Sequence, residues 1–330
     1  MVTATGETTT NAALEKAARE LLPGEGKRIE VRPGIHMHVL DQGEGDPMVM
    51  VHGNPSWCLY YRRLVEAFQD RYRCIVPDHI GCGLSDKPGE DQYSYVLESR
   101  IADLTTVLDK LGVTERVTLV VHDWGGMIGT GWAVRHADRV KRIVLLNTAA
   151  FFLPKSKGFP WQLWLARSPL GAMLVRGMNM FSRGATRQCV TRRPMPKEVR
   201  EAYCAPYDSW EHRLAVHRFV QDIPLRPTDP SWSTVAEVEG KLETLAGIPT
   251  LCCWGLRDFV FDKHFLAEWR ERLPGAEYHV FDDAGHYVLE DAHEDIIPLM
   301  EDFLTRHPVD SEPAATDGAA TDDGAEADPS

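Results

Sequence analysis

The turn Val121-His122-Asp123-Trp124-Gly125-Gly126 constrains this chain more than any other stretch. An apolar run, Val117 to Val121, leads into it, and a helix-compatible run, Met127 to His136, leads out. Strand, sharp turn and helix in that order form a nucleophile elbow, which lifts its central residue into a strained, exposed position at the sheet edge. Gly125 and Gly126 omit side chains where the turn and the following helix pass close together. The first small residue of the usual elbow is Val121 here, a mild departure.

The central residue is an aspartate where hydrolases of this geometry usually carry serine. A serine must lose a proton to attack, which occupies its histidine as base. A carboxylate has a reference pKa of about 4 and is already ionised at neutral pH. Asp123 can therefore attack unaided in a pocket dry enough to strip its hydration. Attack on an sp3 carbon gives an alkyl ester of Asp123. The motif points away from peptidases and toward displacement on halides, epoxides or strained lactones.

The flanking pattern fits a mainly parallel sheet with helices on both faces. Arg28 to Val31 and Ile35 to Leu40 read as a hairpin joined at Pro33-Gly34. Strands are expected at Met48 to Val51, Cys74 to Val76, Val117 to Val121, Val140 to Leu146, Thr250 to Trp254 and Glu277 to Phe281. Helices are expected at Trp57 to Phe68, Leu97 to Leu111, His264 to Leu273 and Glu294 to Leu304. The alternation stops after Asn147, and Phe151 to about Trp232 is helical, aromatic and proline-rich. The expected division is a flexible leader (1–27), a core (28–150 and 233–308), a helical cap (151–232) and a disordered acidic tail (309–330). A cap between two blocks of one sheet lies over the C-terminal strand edge, where open α/β sheets bind ligands.

The formal charge of −13 argues against nucleic acid as a partner. Seven cysteines, odd in number and without a CxxC pair, argue against a disulfide framework or structural zinc. Cys252 and Cys253 sit inside an apolar strand pattern and read as buried thiols. The polar, Thr-rich start has no apolar signal core, and no run reaches the length of a membrane span. A cytoplasmic protein is expected.

An elbow aspartate needs a base, an orienting acid and an anion site. His286, in Asp283-Ala284-Gly285-His286-Tyr287 just past the last strand, is the expected base. His122 should point away from Asp123, and His79 reads as a structural hydrogen-bonder. Asp258, after the strand Thr250 to Trp254, is the expected orienting acid. A second acid position after Val140 to Leu146 holds Asn147, which cannot carry charge. Backbone N–H groups of Asn54 and Trp124 can form an oxyanion hole, with a side-chain amide and an indole aimed at the same point.

These residues carry a family resemblance. His52-Gly53-Asn54-Pro55-Ser56-Trp57, Pro77-Asp78-His79-Ile80-Gly81, His122 to Gly126 and Asp283 to Tyr287 resemble the haloalkane dehalogenase branch of the α/β-hydrolases. Within it the chain is most similar to the third subfamily, which includes the β-lactone decarboxylases of bacterial long-chain olefin biosynthesis. Leu146 to Phe151, Gln221 to Leu225, Trp254 to Asp262 and Phe281 to Asp291 look like those decarboxylases in particular. The resemblance implies Asp123 as nucleophile, His286 as base, Asp258 as acid, and Asn54 with Trp124 as leaving-group donors. It implies no cofactor and no metal. The implied reaction turns a cis-3,4-dialkyl β-lactone into a cis-alkene and carbon dioxide. Haloalkane dehalogenation is the first alternative. Epoxide hydrolysis, which wants two cap tyrosines such as Tyr203 and Tyr207, is the second. A non-catalytic binding protein of the same fold is the third.

The cap suits a small lipophilic substrate. Pro160 to Leu165, Leu170 to Met180 and Phe181 are rich in large, adaptable apolar side chains. The same residues could instead simply pack the cap on the core. From Lys155 to Arg193 there are basic residues and no acidic ones. That stretch could dock a partner enzyme of the olefin pathway or an anionic surface, or form a solvated helix face.

Overall fold

The computed structural model describes residues 16–309. Residues 1–15 of the expected leader and 310–330 of the expected tail lie outside the described residues. Eight strands form one sheet in the order β1-β2-β4-β3-β5-β6-β7-β8. They are β1 (Gly26–Arg32), β2 (Ile35–Gln42), β3 (Pro47–Val51), β4 (Arg73–Pro77), β5 (Val117–Asp123), β6 (Val140–Thr148), β7 (Thr250–Gly255) and β8 (Glu277–Phe281). β2 runs antiparallel to β1 and β4, and every other pairing is parallel.

The inner strands β3 to β7 are buried almost throughout because both faces of the sheet are covered there. Val49, Val51, Leu119 and Val121 face one core, with Ile101, Leu104, Ile128 and Trp132 from the helices Leu97–Lys110 and Trp124–Ala133. Met48, Met50 and Val120 face the other, with Leu64 and Phe68 from Arg62–Phe68 and Ile296, Met300 and Phe303 from Val288–Arg306. Cys252 and Cys253 follow the same two-residue period, one thiol in each core.

Three local expectations need correction. The leader does not stay loose up to residue 27: Ala18 is buried in the second core, where Leu21 and Leu22 pack, and β1 already starts at Gly26. These few apolar residues bury themselves against a core that the local sequence does not reveal. The expected helix Trp57 to Phe68 is a 3-10 turn, Cys58–Tyr61, followed by the α-helix Arg62–Phe68. The last helix begins at Val288 rather than Glu294, with a break at Ala292 (φ −134°, ψ 18°). Its early turn is held by tertiary contact. The Asp291 carboxylate accepts the backbone N–H groups of Gly285 (2.7 Å), Thr191 (3.0 Å) and Arg192 (3.1 Å).

Between β6 and β7 the chain forms the helices Trp161–Arg167, Met180–Gln188, Lys197–Cys204, Leu214–Gln221 and Trp232–Gly240, with short turns between them. Leu163, Ala166, Val175, Tyr207, Val216 and Val220 give this insert a small core of its own. Its last helix returns to the sheet layer through Val235 and Val238, which join the first main core.

Candidate active site

β5 is central, and its last residue is Asp123. There φ is +52°, a region that costs a non-glycine residue energy and persists only where the surroundings hold it. The helix Trp124–Ala133 starts at the very next residue. Built Cβ atoms show why two glycines follow. One on Gly125 would sit 1.9 Å from the Val51 carbonyl oxygen, and one on Gly126 1.7 Å from Thr148 Oγ1. Thr148 in turn donates its hydroxyl to the Asp123 carbonyl at 2.5 Å, fixing the turn to the end of β6.

The Asp123 carboxylate is 7% exposed at the residue level. Burial raises its pKa, opposed by the charge of His286 and by the backbone N–H groups of Asn54 and Trp124. The Asn54 N–H donates to Oδ1 at 2.6 Å. The other oxygen, Oδ2, lies 3.6 Å from His286 Nε2. Oδ1 is thus held by the Asn54 main-chain donor, while Oδ2 faces the imidazole.

His286 Nδ1 donates to Asp258 Oδ2 at 2.7 Å, since a carboxylate can only accept. Burial disfavours the imidazolium, yet the Asp258 charge and hydrogen bond, with the Asp123 charge, hold the His286 pKa above its ordinary value. Asp258 is itself held from two sides: Oδ1 accepts the Val260 N–H at 2.7 Å, and Oδ2 accepts Asn147 Nδ2 at 3.1 Å. The structure therefore brings Asp123, His286, Asp258, Asn54 and Trp124 to one place.

One expectation for the anion site is corrected. The Asn54 amide is not wholly free to face a ligand, because Nδ2 donates to the Val216 carbonyl at 3.1 Å. The helix Leu214–Gln221 of the insert thus claims one of its two N–H bonds. Trp124 lines the cavity and packs on Phe219, their ring centroids 5.4 Å apart.

The tyrosines wanted by the epoxide reading point elsewhere. Tyr203 donates to Glu290 at 2.6 Å, and Tyr207 to the Ser56 carbonyl at 3.3 Å. Neither lines the cavity. That reading loses its pair of acids because both hydroxyls are spent tying the insert to the core.

Two supporting residues escaped the sequence reading. Asn147, set aside there for want of charge, also donates Nδ2 to the Gly255 carbonyl (2.9 Å) and accepts the Gly255 N–H (2.8 Å). It locks β6 to the loop that carries Asp258. His122 does point away from Asp123, stacked on Tyr60 at 4.3 Å, and its Nε2 bonds the His286 carbonyl at 2.8 Å. Burial and the His286 charge keep the His122 pKa well below normal, so the ring is neutral and Nε2 carries the proton. His79 behaves as expected, bonding the His52 carbonyl at 2.8 Å.

Among the described residues, His38, Cys58 and Asp78 bring metal-ligating atoms within 4.8 Å of one another. The Asp78 oxygens are already engaged by the N–H groups of Cys58 (2.6 Å) and Leu84 (3.0 Å) and by His38 Nδ1 (2.9 Å). This trio ties down the loop after β4.

Above Asp123 opens a cavity of about 320 Å³. Asn54, Asp123, Trp124 and His286 form its polar end. Its walls are almost wholly apolar, including Phe151, Leu174, Phe181, Val220, Ile223 and Phe261. Burial of a lipophilic ligand suits such walls, and the few polar groups sit where orientation matters. No helix among the described residues is long and apolar enough to cross a membrane.

Comparison with known proteins agrees with this architecture. A protein of Shewanella oneidensis named cis-3-alkyl-4-alkyloxetan-2-one decarboxylase is 55% identical over 83% of this chain and 86% of its own. One of the same name from Xanthomonas campestris pv. campestris is 53% identical over 86% of this chain and 97% of its own. Haloalkane dehalogenase 2 of Mycobacterium bovis is 30% identical over 84% of this chain and 94% of its own. Among solved structures, a haloalkane dehalogenase from Agrobacterium tumefaciens C58 superposes with a TM-score of 0.76 at 25% identity, covering 87% of this chain and 99% of its own. The sequence pattern of the alpha/beta hydrolase fold matches residues 46–293, and with the parallel sheet and the elbow at the end of β5 it makes this chain a member of the α/β-hydrolase family.

Proposed function

We propose that this protein decarboxylates cis-3,4-dialkyl β-lactones to cis-alkenes and carbon dioxide, with Asp123 as nucleophile, in the manner of bacterial long-chain olefin biosynthesis. The observation that carries the reading is a buried carboxylate at the end of an apolar cavity, one oxygen held by the main-chain N–H of Asn54. The 53–55% identity to proteins named for this reaction supports it.

Asp123 Oδ2 attacks ring carbon C4. The C4–O bond breaks, its electrons leave on the ring oxygen as a carboxylate attached to C3, and an alkyl ester of Asp123 forms. That carboxylate then departs as carbon dioxide. Its C–C electron pair becomes the C3–C4 double bond, and the C4–O bond to Asp123 breaks to return the aspartate. No water or net proton is consumed. Inversion at C4 followed by anti elimination carries a cis-lactone to a cis-alkene. Ring strain supplies the electrophile, and the dry walls keep the ester from hydrolysis. The remaining Asn54 N–H and the Trp124 indole stabilise the departing carboxylate. His286, held toward protonation by Asp258, faces the Asp123 carboxylate as it is expelled.

The insert serves in this reading as a cap that shapes an alkyl tunnel. The seven free thiols suit a reducing cytoplasm, and partner enzymes of the olefin route belong to the same proposal.

Haloalkane hydrolysis is the second reading, favoured by the 30% identity to a haloalkane dehalogenase. There the halide leaves, and His286 takes a proton from the water that attacks the Asp123 ester. One experiment separates the two: a synthetic cis-dialkyl β-lactone and 1,2-dibromoethane are given side by side to the purified protein, and products are analysed. Alkene from the lactone supports the first reading. Its absence with an intact fold overturns that reading, and halide release faster than lactone turnover selects the second.

A further inference from the structure

The insert exposes an unusual amount of apolar surface. Among the described residues, eight large apolar side chains are more than a third exposed, and six of them lie between residues 161 and 180. They are Trp161, Trp164, Leu170, Met173, Met178 and Met180. A seventh, Trp210, sits beneath the Arg176 guanidinium, 4.4 Å from its ring centroid, which joins it to the same turn. Apolar residues scattered singly need no explanation, but a group of this size on one segment marks an interaction surface.

This surface is also the mouth of the cavity. Trp161 is 69% exposed and Met180 50% exposed, yet both line the cavity, as does Phe259, 37% exposed. Gly184 and Gln188, one and two turns beyond Met180 on the helix Met180–Gln188, line it too.

The same segment is basic. Residues 155–197 contain nine Lys and Arg and no Asp or Glu, in a chain of net charge −13. Several are neutralised: Lys157 pairs with Asp262, Arg192 with Asp283 and Asp295, and Arg193 with Glu294. Arg183 and Arg187 are exposed and make no ion pair among the described residues. They stand at i+3 and i+7 from Met180, on the same helix face and beside the mouth.

We infer that this face of the insert seats on an anionic lipid surface, with the cavity mouth against the bilayer. Tryptophan and methionine enter the boundary between head groups and acyl chains, while flanking arginines meet the anionic phosphates. A substrate with two alkyl chains then passes from lipid into the cavity without crossing water. The choice of substrate rests on the proposed function, whereas the surface is tested without turnover.

The test is co-sedimentation of the full chain with vesicles of phosphatidylcholine alone or mixed with phosphatidylglycerol. Two variants accompany it: Trp164→Ser with Leu170→Ser and Met173→Ser, and Arg183→Glu with Arg187→Glu. All five positions are exposed and none lines the cavity, so turnover of a short, water-soluble substrate is expected to stay unchanged. The wild-type chain is expected to bind the mixed vesicles, and each variant to bind about tenfold more weakly or less. Failure of the wild type to sediment with the mixed vesicles overturns the inference. So does undiminished binding by either variant, which would leave the face to a protein partner. Vesicle binding without lactone turnover would overturn the proposed reaction alone.

Discussion

His122 Nε2 donates to the backbone carbonyl of His286 at 2.8 Å, so the residue just before the elbow aspartate anchors the loop that carries the opposing imidazole. Two parts of the chain that are 164 residues apart are tied within one residue of each partner's working side chain. His122→Phe keeps the ring stacked on Tyr60 and removes the donor. The expected result is a fall in kcat of about tenfold, the scale of one hydrogen bond. KM should be unchanged and the pH profile displaced, whereas a purely structural loss would lower the folded fraction and leave the profile in place.

Asp123→Ala is expected to abolish turnover of lactone and bromoalkane alike, with the circular dichroism of the fold retained. Residual turnover near wild type would remove Asp123 as nucleophile.

His286→Asn leaves Asp123 able to attack but removes the partner of the second step. Intact-mass spectrometry after incubation with a bromoalkane should show one covalent alkyl adduct per chain. Normal turnover by this variant would show that His286 has no role in the second step.

Asn54→Ala removes a side-chain donor while its main-chain N–H still serves Asp123. The expected cost in kcat/KM is about 3 kcal/mol, the scale of one oxyanion donor. Asn147→Ala removes the Nδ2 bond to Asp258 and should cost about 1.5–3 kcal/mol, as for hydrogen bonds to charged groups. Kinetics of both variants on one substrate decide.

The raised pKa of Asp123 fixes the sign of the acid limb. Attack requires the carboxylate, so activity should fall with decreasing pH already above the ordinary value of 3.8. Protonated His286 lowers that pKa, so His286→Asn should move the acid limb of adduct formation upward. For stability the sign is opposite in range. The His286 pKa is raised on folding, so its contribution is complete below the unfolded value of 6.5 and is lost as pH rises through the folded value. Urea titrations of wild type and His286→Asn across that window measure it.

Much of the core was legible because it depends on local periodicity. β8 (Glu277–Phe281) has the bounds the sequence predicts, and β3 to β7 differ by a residue or two at their ends. The elbow was legible because strand, glycine pair and helix are adjacent in the chain. The last helix was misjudged at its start because Asp291 is placed by N–H groups from residues 191, 192 and 285, which no window around residue 291 contains. Where the Tyr203 and Tyr207 hydroxyls point was not legible, because residue type does not encode it.

The sequence by itself determined which residues can do the chemistry: a carboxylate at a strained turn, a late histidine and an acid after a late strand, all set by chain order and local pattern. Only the tertiary structure decided how they are held. It gave Asp123 Oδ1 to the Asn54 N–H, Asn54 Nδ2 to Val216, Asp258 to Asn147 and the His286 carbonyl to His122. Each of these bonds joins segments 69 to 164 residues apart. Such contacts come from packing two faces of a sheet and one helical insert together, which no local pattern encodes.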